Sequence, residues 1–259
     1  MKPSFHPFRA LLLCLFILFP TGTQGEMTPF LKIKPGTPPY DIIRDLLAPR
    51  DTLKPHPKGI DKDHLSTAID LIWLADTDSR NFTWNMTKMV PQNALVINNF
   101  GNQVSKAAAQ IDYGVRILHS PILFICGVTD SPALQMLTGI FHQRTESIDD
   151  EIRNLEAMMK GIGMAERPTT MDGQREIIEL NVDEQVALAV RRYRDRIDIG
   201  RLIVIGGVLD YSGLYGRGNE NLLIININGE TDSIALRNHP VLRKIPLSIL
   251  TRSIGKEKP

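Results

Sequence analysis

Residues 71–80 read Leu71-Ile72-Trp73-Leu74-Ala75-Asp76-Thr77-Asp78-Ser79-Arg80. The unbroken apolar run has the length of a strand buried on both faces, and the polar residues after it end that strand. Comparable runs recur at 94–98, 122–126, 202–206 and 222–227. Between and around them lie segments of helical periodicity at 105–118, 131–142, 147–160 and 183–197. In the third of these, Ile148, Ile152, Leu155 and Met159 fall on one face behind an acidic first turn, and Gly161 and Gly163 end it. This alternation predicts an α/β fold with a central, mainly parallel sheet of about five strands flanked by helices.

The spacing of short motifs along this framework resembles the beta-class carbonic anhydrases. Asp76 to Arg80 is similar to that family's Cys-x-Asp-Ser-Arg signature, with Asp76 at the place of the cysteine. Downstream, in unbroken register, come Gly101-Asn102, Ile111-Asp112-Tyr113-Gly114-Val115 and the strand Pro121-Ile122-Leu123-Phe124-Ile125-Cys126-Gly127. Asn181-Val182-Asp183-Glu184-Gln185-Val186 is similar to the family's Asn-Val-x-x-Gln-Val helix start, and Gly206-Gly207-Val208-Leu209-Asp210 with Gly213 to its late strand and turn. The resemblance spans roughly residues 65–230.

It implies a zinc site whose three ligands would stand at Asp76, Val128 and Ser131, where the family has Cys, His and Cys. Val128 offers no donor and Ser131 only a neutral hydroxyl, so no zinc cofactor is expected, although the family uses one. Without a metal to lower the pKa of a bound water, inherited CO2 hydration is not expected either. The Asp78 and Arg80 pair, a catalytic dyad in the family, is retained. It reads either as a guanidinium fork for a small anion such as bicarbonate or a carboxylate, or as a structural ion pair. Asp76, Ser79, Gly127 and Ser131 are the candidate ligand-contacting residues around it. Asp76, Asp78 and Asp130 read either as an all-oxygen site for Mg2+, Mn2+ or Ca2+ or as solvated carboxylates at strand ends. His64, His119 and His142 lack supporting partners in sequence, and His119 precedes the opposite end of its strand.

Basic Lys2 and Arg9, an apolar stretch at 10–19, Pro20 and small or polar residues to Gly25 have the shape of a secretory signal, expected at residues 1–25. The apolar stretch is about half the ~20 residues that span a bilayer. A secreted or periplasmic protein with no stable membrane span after cleavage is therefore expected. Loss of Cys14 with the signal leaves Cys126 as the one cysteine, a core residue by its place in a strand. The two acceptor patterns Asn81-Phe82-Thr83 and Asn85-Met86-Thr87 matter only in a glycosylating host.

Residues 26–62 are rich in Pro and Lys and read as an extended arm, with a short amphipathic turn at 40–47. The arm either packs on a partner subunit, as the resemblance implies, or links signal to domain. The carbonic-anhydrase-like domain is placed at 63–259. Residues 166–174 read as a polar loop around Pro168, and Gly213, Gly216 and Gly218 as a hairpin turn rather than a nucleotide loop. A formal charge of +1, from 30 basic and 29 acidic residues, gives no field for nucleic acid. The expectation is an exported, dimeric pseudoenzyme that binds a small anion or a partner subunit. The alternative is a lyase or hydrolase working through Asp78 and Arg80, without zinc or with a metal at the Asp cluster.

Overall fold

The structure, a computed structural model, describes residues 38–48, 69–77, 94–137, 144–161, 170–218 and 221–256. Its centre is a five-stranded sheet of β1 (Leu71–Asp76), β2 (Ala94–Asn99), β3 (Ile122–Val128), β4 (Ile203–Asp210) and β5 (Asn221–Ile227), in the order β2-β1-β3-β4-β5. The first four pair in parallel, and β5 returns antiparallel beside β4. All residues of β1 and β3 are buried, which is why their sequences are apolar without alternation. Trp73 and Phe124 are register partners on these strands and stack face to face, with ring centroids 4.6 Å apart.

Helices cover both faces. Ile72, Leu74, Leu123 and Ile125 point to one side with α2 (Ala108–Asp112), α4 (Glu146–Gly161) and α5 (Met171–Arg192); α3 (Pro132–Leu137) joins them there. Leu71, Trp73, Phe124 and Ile224 point to the other, where α1 (Pro39–Leu46) packs with the C-terminal helices α7 (Ser233–Arg237) and α8 (Leu247–Ser253). The amphipathic turn at 40–47 is thus a helix, started by Pro39 in its first turn. Ile42, Ile43, Leu46 and Leu47 are buried in the chain's own core, and each such side chain stabilises by about 1.5–3 kcal/mol. This part of the arm packs on its own sheet.

Three helical segments differ from the sequence reading. Residues 171–174, read as loop, are the first turn of α5, capped by Thr170, whose hydroxyl accepts from the Gly173 N–H at 3.1 Å. The segment read as one helix over 183–197 is the end of α5 followed, after a break at Tyr193, by α6 (Arg194–Asp198). The helix read over 105–118 becomes regular at Ala108 and passes into a π-helical turn, Tyr113–Ile117. As read, Gly213, Gly216 and Gly218 lie in the turn between antiparallel β4 and β5, all with positive φ.

Candidate functional site

β1 and β3 run side by side and in parallel, so their C-terminal ends deliver Asp76 and residues 128–131 to the same edge of the sheet. Asp76 is 2% exposed. Among the described residues its carboxylate accepts the N–H of Thr77 at 2.7 Å, the N–H of Gly101 at 3.1 Å and the hydroxyl of Ser131. Ser131 is equally buried, and its oxygen in turn accepts the Leu134 N–H at 3.2 Å, capping α3. Two positions that the resemblance assigns to metal ligands are therefore hydrogen-bonded directly to each other. Val128, the third, is buried at 6% exposure, and its carbonyl accepts the Ser131 N–H at 3.2 Å.

These groups do not fit a zinc ion. A catalytic zinc takes three nitrogen, sulfur or carboxylate ligands. Here one position has no donor atom, and the hydroxyl and carboxylate already serve each other and nearby N–H groups. Among the described residues no three His, Cys, Asp or Glu side chains gather as a metal would require. Asp130 is exposed and accepts the Ser212 hydroxyl at 3.0 Å instead. Asp78, Ser79 and Arg80 lie outside the described residues, as do His64, His142, both acceptor patterns and residues 1–25.

The turn after β2 supplies the Gly101 N–H. Gly101 has φ +72°, and a Cβ there would approach Leu155 Cδ1 to 2.8 Å, so glycine meets both a conformational and a steric demand. Two amides of α5, one turn apart, clamp this turn. Asn181 Nδ2 donates to Gly101 O at 3.2 Å and to Asn102 Oδ1 at 3.1 Å. Gln185 Oε1 accepts the Val104 N–H at 2.8 Å. Both side chains are buried, and the Asn-Val-x-x-Gln-Val motif is the scaffold that aims an N–H at Asp76.

A small cleft of about 20 Å3 opens beside Ser131, bounded by Thr129 and Gln135 on one wall and by Gln174, Ile177 and Ile178 of α5 on the other. That is room for about one water. Sequence reasoning did not single out Thr129, Gln135 or Gln174, because the cleft between them is made only when α5 crosses the sheet edge. Thr129 Oγ1 also accepts the N–H groups of Tyr211 and Ser212, holding the turn after β4 against this end of the sheet.

Gly127 contributes by its smallness: a Cβ would meet Val182 Cγ2 at 2.8 Å and Ile178 Cγ2 at 3.0 Å, so it allows α5 to lie on β3. Cys126 is fully buried, and burial pushes its thiol well above the usual range, making it a core residue rather than a nucleophile. His119 is exposed at the other end of β3. The Ser131 and Asp76 pair resembles two members of a hydrolytic triad. Yet the hydroxyl faces the carboxylate directly with no imidazole between them, and a carboxylate is a weak base for a hydroxyl proton.

Residues 71–213 match the family model described as carbonic anhydrase. Among solved structures, the chain is similar to a Coccomyxa beta-carbonic anhydrase in complex with acetazolamide, at 20% identity over 67% of this chain and 78% of that one, with a TM-score of 0.52. It is also similar to tetrameric beta-carbonic anhydrases from the filamentous ascomycete Sordaria macrospora, at 18% identity over 61% and 81% of the two chains, with a TM-score of 0.50. At such identities the likeness is one of fold. Among curated proteins none matches.

Proposed function

This chain belongs to the beta-class carbonic anhydrase family, and on that premise we propose that it has exchanged zinc-dependent CO2 hydration for a binding or structural role. The observation that carries this reading is the hydrogen bond from Ser131 to Asp76, with Val128 buried beside them. A metal-bound hydroxide has no place to form there, and the family's chemistry depends on one. In its place stands a closed, internally satisfied polar pair bordering a small cleft.

The ligand we favour is a small anion, held at the retained Asp78 and Arg80 pair with Asp76, Ser79, Gly127 and Ser131 as its frame. The other occupant is a partner subunit. We further propose that the chain is exported through residues 1–25, and that it self-associates. The sequence points to a dimer, and the Sordaria proteins are tetramers, so light scattering of the purified protein distinguishes the two.

The test of the central proposal is metal content together with CO2 hydration rate on the purified chain. Metal-free protein without hydration is the expected result. Stoichiometric bound metal, or hydration abolished by Asp78→Ala, would establish the alternative enzyme instead. Titration with bicarbonate or acetate, followed by calorimetry on wild type and Arg80→Ala, then tests the anion. Binding lost with Arg80 supports it, whereas no binding to either form leaves the partner subunit as the occupant.

A further inference from the structure

β5 is the last strand of the sheet, so one of its edges has no neighbouring strand among the described residues. Its sequence, Asn221-Leu222-Leu223-Ile224-Ile225-Asn226-Ile227, holds no charge and no proline, the residues that ordinarily keep an exposed edge from pairing with another chain. Such a strand is a strong template for strand addition. The chain covers this edge with its own tail. After α8 the backbone turns extended at Ile254 and forms a parallel bridge with Ile224, and the Gly255 N–H donates to the Ile224 carbonyl at 2.9 Å.

The covering segment is pinned from both faces of the sheet. Ile254 is 0% exposed and packs in the core beneath α1, α7 and α8, and its carbonyl accepts Arg217 Nη1 at 2.9 Å and Arg237 Nη2 at 3.4 Å. Two residues on, the Lys256 ammonium pairs with Asp183 of α5, the helix on the opposite face. The Asp183 carboxylate also accepts Asn226 Nδ2 of β5 at 2.8 Å, so strand, helix and tail meet at one side chain. Residues 254–256 thus round the edge from one face of the sheet to the other.

We propose that Ile254–Lys256 is a detachable guard over the β5 edge, and that the partner it excludes is a second copy of this chain. The occupant follows from symmetry. A strand edge meets its identical edge antiparallel about a two-fold axis, each strand supplying the same main-chain donors and acceptors. This association is additional to the self-association proposed above. Its readout is a change from the wild-type mass, so the outcome does not depend on whether the intact chain is a dimer or a tetramer.

The full-chain double variant Lys256→Glu/Arg217→Ala tests the guard. It sets a carboxylate against Asp183 and removes a guanidinium from the Ile254 carbonyl, while Ile254 itself stays. Lys256 and Asp183 keep side-chain exposures of 28% and 25%, so the change falls outside the core. Amide exchange at Gly255 reports release of the tail, circular dichroism reports the fold, and sedimentation velocity at micromolar concentration reports the mass. The expected result is faster exchange at Gly255 together with a concentration-dependent species of about twice the wild-type mass or a multiple of it. Faster exchange at the wild-type mass overturns the proposal. Should the double variant keep Gly255 protected or fail to fold, Ile254→Asp is measured in the same way, because a charge there cannot stay in the apolar core. If that chain also keeps Gly255 protected or unfolds, the segment is an inseparable part of the core, and the proposal is overturned.

Discussion

Ser131→Ala probes the feature on which the functional reading rests. The substitution removes a hydroxyl that donates to the buried Asp76 carboxylate and caps α3 by accepting from Leu134. A hydrogen bond to a charged group contributes about 1.5–3 kcal/mol, and an N-cap about 1 kcal/mol. Both act through one oxygen, so they do not add fully, and a loss of about 2–4 kcal/mol is expected. For a domain of this size that lowers Tm by roughly 5–15 °C. Urea and thermal unfolding of the purified variant against wild type measure it. Thr145→Ala is the control, because Thr145 Oγ1 accepts the Ile148 N–H at 3.4 Å at an exposed helix start. Its loss should stay near or below about 1 kcal/mol. If Ser131→Ala costs no more than the control, the hydroxyl is not holding Asp76, and the closed-site reasoning fails.

Gly127→Ala should destabilise by about 1–3 kcal/mol through its clash with Val182 and Ile178, and Val182→Ala should recover part of that loss in a double-mutant cycle. Asn181→Ala, which unclamps the turn at Gly101 and Asn102, should cost about 1–3 kcal/mol; amide exchange at Gly101 should quicken with it, and unchanged exchange would contradict the clamp. The Arg192 guanidinium, aided by the Tyr193 hydroxyl and Arg116, holds the Asp112 carboxyl below its ordinary 3.8. A depressed carboxylate stabilises the fold above its unfolded pKa, and that contribution is lost as pH falls through the folded value. Asp112→Asn should therefore lower Tm at neutral pH by more than at pH 3, and a difference independent of pH would refute the linkage. Cys126 should react with a thiol reagent only at the rate of unfolding, since burial both hides it and keeps it protonated.

Much of the architecture was legible because full burial leaves a plain mark. β1 and β3 bury every residue, so their runs stand out as uninterrupted apolar stretches. The start of α5 was not legible. This helix turns buried amides, Asn181 and Gln185, toward the sheet edge alongside Val182 and Val186, and inward polar residues erase the apolar stripe on which periodicity depends. Pro168 then made the stretch up to Gln174 look like loop. At the site, residue types at Asp76, Val128 and Ser131 were readable one at a time, and so was the lack of a good zinc donor at Val128 and Ser131.

What the sequence determined by itself is therefore which runs are buried strands, the family register, and the absence of nitrogen and sulfur donors at those three positions. These follow from residue chemistry and spacing, which are local. Only the tertiary structure decided that Asp76 and Ser131 pair with each other, that the turn at Gly101 adds an N–H to the carboxylate, and that Arg175, Glu179 and Tyr215 meet. Such groups are far apart in the chain, and no local pattern states which buried donor finds which acceptor. That pairing is set when parallel strands align their ends and a helix closes over them.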